Sequence, residues 1–455
     1  MKNLFVNVFK RNYFLLLLTL PSLFVGWIGL DRVYYLVPDQ DLLWASESFR
    51  LFRGIGPSYA DHPGAYWPIS YLIKIIWLSK FELQEILNQD GVASIMIIEK
   101  LIRASRIENA IICGIIPIVF FFLLRSFHIK KGLSLISSII VSLSSSLLNG
   151  VSSIRHEPIG VLFMLIYLLL TSIELSKPGK AKNKIIRSLY PSVFFFASIY
   201  CKQQILLLAP LVLLSIVQMI RTRSNMAFLK IKDLFTFSRF NNSLIILFCS
   251  AIPWAITALP DFDLINLPFW ILINTTLILP IWFIYDQSLG KRGWLESLFA
   301  LTFLEILIFK FLSPTFWRQA VTGFPSWIFI YAHSSEERIS DFIESLQRYS
   351  FDLMGTEHLG LIICIVLALV RILSYTNQVF RNRTLSAPDL SDLALASVFF
   401  LLIAFSLRPS QHYQIYLFIP IIIMSSISLT KANKISYMKS FNLLSNQFLT
   451  FIAII

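Results

Sequence analysis

The chain is punctuated by apolar runs about as long as a bilayer is thick. An α-helix rises 1.5 Å per residue, so about 20 apolar residues cross a hydrocarbon core of about 30 Å. The first run, Asn12 to Leu30, carries no charge and follows Lys2, Lys10 and Arg11. Its flanks are those of a signal peptide, but its length suits a retained spanning helix better. Further runs cover 108–124, 132–149, 159–175, 189–200, 203–220, 243–260, 268–285, 294–312, 358–375, 393–407 and 414–430, which makes twelve. A last apolar segment, 441–455, is either an extra C-terminal span or an interfacial tail. Hydrophobic residues make up 56% of the 455 and charged residues 14%, where soluble domains carry about 25% charged. That balance excludes a soluble enzyme, a disordered chain and a secreted disulfide scaffold. The pattern predicts an all-α polytopic membrane protein of about twelve (eleven to thirteen) transmembrane helices, forming one domain over 1–455.

The net charge is +13, which in a soluble protein would point to nucleic acid. Here the Lys and Arg residues gather between the apolar runs, at Arg125/Lys130/Lys131, Lys177 to Arg187, Arg221 to Arg239, Lys291/Arg292, Arg381/Arg383 and Lys431/Lys434/Lys439. Short cytoplasmic loops collect such residues, and simple alternation of the helices puts all these clusters on one side. Nucleic acid is therefore not an expected partner, and the N-terminus is predicted cytoplasmic. The run 189–220 has basic residues at both ends, so it must cross an even number of times. Two short helices meeting near Cys201-Lys202-Gln203-Gln204 satisfy this. The four cysteines show no paired or metal-ligand spacing.

Two outer segments, 38–107 and 314–357, exceed the usual length of a structureless loop, so structure is expected in both. In the first, Leu42, Ala45, Phe49 and Phe52 recur at helical spacing opposite Ser46, Glu47, Arg50 and Arg53. Ile69, Leu72, Ile73, Ile76 and Trp77 repeat the stripe. Helices of this kind lie in the membrane plane with one apolar face down.

Chemistry is sought where polar groups gather on that outer side. Asp39-Gln40-Asp41 stands where the chain leaves the first run, ahead of the Gly/Pro-rich stretch Gly54 to Gly64. A carboxylate there can take a proton from an attacking hydroxyl; equally, Asp41 ahead of an amphipathic run is a good helix N-cap. Arg155 and Glu157 lie in the turn before the fourth run, Lys202 between the fifth and sixth, and Arg408, His412 and Tyr413 beyond the eleventh. A phosphate departing at a membrane surface needs such cations to stabilise its growing charge. The plain alternative for each is interfacial anchoring or a surface ion pair. No His-Glu-x-x-His, cysteine cluster or phosphate-cradling Gly-rich loop occurs.

Together these features resemble the GT-C superfamily of polytopic glycosyltransferases, including the protein O-mannosyltransferase and aminoarabinose-transferase types. The resemblance rests on the cytoplasmic N-terminus, the number of spans, the long first outer loop opening on Asp39 and Asp41, its in-plane helices, and Asp61-His62-Pro63-Gly64. An Arg opening the second helix, Arg103 or Arg106, fits as well. It covers about 1–220 and departs from the strict Asp-Glu pair of some families. It implies that Asp39 or Asp41 is the catalytic base, and that Arg103, Arg155, Glu157, Lys202, Arg408, His412 and Tyr413 meet the lipid phosphate. It further implies that Tyr59, His62 and Trp67 line the sugar or acceptor pocket. The implied donor is a polyprenyl-phosphate-linked sugar and the acceptor a glycan, lipid or protein, met at the outer face of the cytoplasmic membrane among its lipids. No cofactor is required, although some members bind a divalent cation. Two alternatives stay open: a flippase or transporter for lipid-linked saccharides, and a polysaccharide polymerase or O-antigen ligase working through 314–357.

Overall fold

A computed structural model describes residues 13–32, 43–52, 66–67, 69–77, 91–151, 153–175 and 184–201, and six further positions, 415, 418, 419, 422, 423 and 426. The described residues are all-helical. A 3-10 helix, Tyr13–Thr19, runs into α1, Leu20–Leu30. Pro21 in the first turn of α1 explains the change of pitch, because proline lacks the N–H and clashes with the carbonyl four residues earlier. Then follow α2 (Leu43–Phe52), α3 (helical at 66–67 and 69–77), α4 (Gly91–Ser126), α5 (Lys131–Ser142), α6 (Ser145–Val151), α7 (His156–Leu175) and α8 (Lys184–Cys201). Three of the helical stretches, Tyr13–Leu30, Ile98–Ser126 and His156–Ile173, are long and apolar enough to cross a membrane; counting the bent pair α5–α6 as one span makes four. The protein is a membrane protein.

The central element is α4, which packs against α1, α2, α5, α6, α7 and the 3-10 helix. Its approach to α1 is set by small residues. A Cβ placed on Gly26 would lie 2.4 Å from the Ala110 Cβ, and one on Gly114 would lie 3.0 Å from the Thr19 Cβ. Ala110 and Gly114 are one turn apart, so they open a flat strip on α4 that lets the backbones come close. Toward the other end Leu15 and Leu18 pack with Ile118 and Phe121.

Three sequence expectations change. The second span was expected to begin near 108, but α4 starts at Gly91. Residues 98–107 continue the helix amphipathically: Leu101, Ile102, Ser105 and Arg106 are buried, while Glu99, Lys100 and Arg103 are exposed. The third run, expected as one helix over 132–149, is broken by 48° at Leu143–Ser144. Ser144 causes the restart: its Oγ accepts the Leu147 N–H at 3.3 Å, capping α6. Finally, Glu47 was expected on the polar face of α2 opposite Ala45, yet it is 2% exposed, alongside buried Trp44, Ala45 and Ser48. The helix is immersed on that side because Trp44 packs edge-on to His156, ring centroids 4.2 Å apart.

The late span expected at 414–430 is represented by helical positions Ile415, Phe418, Ile419, Ile422, Ile423 and Ser426, all buried and spaced as one helix face. The Ser426 and Ser137 hydroxyls share a hydrogen bond of 2.9 Å, so this face docks on α5. The α4–α5 connection is a Schellman turn: Ile129 N–H donates to Leu124 C=O, His128 N–H donates to Arg125 C=O, and His128 takes φ 58°.

Candidate functional site

Polar side chains gather at one end of this bundle, where the ends of α1 and α6, the start of α7, α3 and residues 103–109 of α4 meet. Two of them close helix ends. The last carbonyls of a helix have no partner within it. Arg106, 2% exposed, donates to the carbonyls of Gly29 at 3.0 Å and Leu30 at 3.3 Å, and to that of Arg32. Asn109, one turn on, donates through Nδ2 to the carbonyls of Gly150, Val151 and Ser153 at 2.8, 3.3 and 2.8 Å. The α4 segment thus ties down both α1 and α6.

The second group centres on Glu108. Tyr66 Oη–H donates to Glu108 Oε1 at 2.5 Å, and Ser70 Oγ–H to Oε2 at 2.8 Å. Lys74 donates to Ser70 Oγ at 2.9 Å, to Ser105 Oγ at 2.8 Å and to Glu108 Oε2. All three ammonium protons are thereby used. Tyr66, Ser70 and Lys74 are spaced by four, so α3 offers one polar ladder to one carboxylate. Lys74 also stands 5.7 Å from the Trp67 ring centre and 5.3 Å from that of Tyr71. Burial holds the Lys74 ammonium below the ordinary lysine value, with Glu108 opposing that shift. Burial, and then the neighbouring Glu108, push the Tyr66 phenol well above its usual range.

The apolar stripe of α3 points the other way. Ile69, Ile73, Ile76 and Trp77 are 46–65% exposed, whereas Trp67, Tyr71 and Ile75 are buried. An amphipathic helix is therefore present as expected, with its apolar stripe outward and its polar and aromatic faces turned to the protein.

Several predicted site residues converge here. The Trp67 indole N–H donates to the Arg155 carbonyl at 2.7 Å, and Arg155 Nε donates to Ser153 Oγ at 3.0 Å. Glu157 is buried in the first turn of α7, where the helix dipole favours an acid. Arg103 binds Asp31 Oδ1 at 2.5 Å in a pair whose side chains are 54% and 78% exposed. Asp39, Asp41, Tyr59, His62, Lys202, Arg408, His412 and Tyr413 lie outside the described residues.

The sequence analysis missed Lys74, Glu108 and Asn109. The signal for Glu108 and Asn109 is present in Ser105-Arg106-Ile107-Glu108-Asn109, a polar stretch running straight into an apolar helix, which is unusual at membrane depth. At the opposite end lie Arg125, which donates to the Ile129 carbonyl, and Lys131, 4.9 Å from the Phe14 ring centre. Among the described residues no group of three or more His, Cys, Asp and Glu side chains could hold a metal ion. Compared with known proteins, the chain matches no protein-family model, no curated protein and no solved structure.

Proposed function

We propose that this chain is a GT-C-type glycosyltransferase that moves a sugar from a polyprenyl-phosphate carrier to an acceptor hydroxyl outside the cytoplasm. The supporting observation is the separation of the two ends of the bundle. One end carries Arg125, Lys130 and Lys131, as cytoplasmic ends do; the other carries the aromatic and polar layer of α3, α4 and the α6–α7 turn. Arg32 under Arg106 and Trp44 against His156, the described residues nearest Asp39 and Asp41 in sequence on either side but for Leu43, both lie at that second end.

In the proposed reaction, Asp39 or Asp41 accepts the hydroxyl proton while the acceptor oxygen attacks the anomeric carbon. The bond from that carbon to the phosphate oxygen breaks, the electron pair leaves on the polyprenyl phosphate, and the configuration inverts. Among the cations described at this end, Arg106 is spent on helix carbonyls and Lys74 on Glu108. Arg103 has only an exposed pair with Asp31, which contributes little; its guanidinium can exchange that carboxylate for a phosphate.

The test is transfer from a radiolabelled polyprenyl-phosphate pentose or hexose by the purified full-length protein. The double variant Asp39→Asn/Asp41→Asn, and the single variant at whichever aspartate is the base, are expected to cost at least about 100-fold through loss of the base; wild-type transfer in the double variant overturns the mechanism. The break in α5–α6 favours a second reading, a transporter of lipid-linked saccharides, since broken spans line transport sites. Transbilayer movement of the same lipid in proteoliposomes, without sugar release, would select it.

A further inference from the structure

We propose that α3 is a discrete wall segment held onto α4 by a charge clasp between Lys74 and Glu108, and that loss of the Glu108 charge swings its Lys74 end outward while the bundle stays folded. This does not rest on the glycosyltransferase reading.

Three observations carry it. Three side chains of α3 converge on one carboxylate of α4: Tyr66, Ser70 and Lys74 reach Glu108, and Lys74 also reaches Ser105. The outward face of α3 is apolar and exposed, so the segment can move toward the lipid without stripping water from polar groups. The clasp is partly buried: the Lys74 and Glu108 side chains are 22% and 27% exposed, and the ammonium stands beside the Trp67 and Tyr71 rings. A partly buried pair adds little as a pair, yet removing one partner leaves the other charge partly desolvated and without its counter-charge. Neutralising the carboxylate thus leaves the Lys74 ammonium without its counter-charge and weakens the acceptor that Tyr66, Ser70 and Lys74 share. A further tie, from the Trp67 indole to the Arg155 carbonyl, does not involve Glu108 and sits at the near end of α3, so release is expected from the Lys74 end.

Ile75, 3% exposed, reports that movement. In full-length protein in phosphatidylethanolamine/phosphatidylglycerol nanodiscs, Cys201, Cys249 and Cys364 are replaced by Ala, Ile75→Cys is introduced, and the buried native Cys113 of α4 is kept as an internal control. Glu108→Gln is expected to raise maleimide labelling at position 75 about tenfold or more with Cys113 still protected, and Lys74→Met/Glu108→Leu to return it to within about threefold of the parent. The inference is overturned if Glu108→Gln labels at the parental rate, if the double variant labels as fast as Glu108→Gln, or if Cys113 becomes reactive in step with position 75. Should Glu108→Gln not fold, Glu108→Asp is used, with its shorter reach expected to give an intermediate rate; a parental rate there again overturns the clasp.

Discussion

The close approach of Gly26 to Ala110 gives a prediction whose penalty a second substitution removes. Gly26→Ala puts a Cβ 2.4 Å from that of Ala110. Non-bonded carbons settle at about 3.5–4.0 Å, so α1 and α4 must separate by about 1 Å or more. Overpacking of this size costs about 1–3 kcal/mol. The exchange of Gly for Ala within a helix returns about 1 kcal/mol, leaving a net loss of about 0–2 kcal/mol. Ala110→Gly alone forfeits about 1 kcal/mol of helix propensity. Combined, the two propensity changes cancel. The nearest remaining neighbours of the new methyl are then the Val151 Cγ1 at 3.4 Å and the position-110 Cα at 3.7 Å, ordinary contact distances. The double variant should therefore be about as stable as the parent, with a coupling of about 1–3 kcal/mol in its favour. Denaturant unfolding of the four proteins in one mild detergent measures the cycle. A double variant whose loss equals the sum of the single losses would refute the close approach of α1 to α4.

Other consequences are local. His128 holds the left-handed position of the α4–α5 turn with φ 58°, so His128→Gly is expected to raise unfolding stability by about 1 kcal/mol; a loss in the same denaturant assay would contradict the turn. Ser144→Ala removes the α6 cap and is expected to cost about 1 kcal/mol, with Ser144→Thr or Ser144→Asp retaining most of it; equal stability of Ser144→Ala and the parent would show the cap to be idle. The lowered Lys74 value has a definite sign. The folded protein gives up this proton more readily than the unfolded chain does, so stability rises with pH from the lowered value up to the ordinary 10.5. The groups around the ammonium are Glu108, Ser70, Ser105 and the rings of Trp67 and Tyr71. Unfolding measured between pH 8 and the ordinary lysine value should therefore show a steeper positive slope for the parent than for Lys74→Met; parallel slopes would mean that burial does not govern this lysine.

What could be read without coordinates followed from how strongly each segment declares itself. The uncharged run 12–30 and the run 159–175, whose one charge is Glu174 near its end, mark spans because little else tolerates them, and the helices found there start within a few residues of those limits. Residues 91–107 gave no such signal. Their charges lower the mean hydropathy, although Leu101, Ile102, Ser105 and Arg106 continue the buried stripe of α4. The break at Ser144 was hidden for the opposite reason: serines are neutral enough to sit inside an apolar run, and only their placement decides whether they bond within the helix or cap a new one. For the site, types were legible and pairings were not. Trp67 and Arg155 were both singled out, but an indole N–H finding a carbonyl 88 residues away is a tertiary fact. Lys74 fell inside a stripe valued for its isoleucines.

The distribution of charge in α4 bears on which residues are left for chemistry. An ionisable side chain within a membrane helix is by default a functional candidate, because burial is costly and demands a return. In Arg106 the return is structural. The Gly29 carbonyl already accepts the Arg32 N–H at 3.2 Å; the Leu30 and Arg32 carbonyls would lose the Arg106 donor, at about 1–3 kcal/mol for each one left unsatisfied, and the guanidinium Nη1 reaches all three. Asn109 serves the end of α6 in the same way, and Glu108 is matched to Lys74. Arg103, nearly one turn before this set, is bound to the exposed Asp31. If the site handles an anionic lipid, Arg103→Ala should weaken binding of polyprenyl phosphate with little loss of stability, since the pair it breaks is solvent-screened. Arg106→Ala should instead unfold the end of α1, whatever the ligand. Equal loss of binding in both variants without any loss of stability would show Arg106 to be part of the anion site and the division of labour along α4 to be wrong.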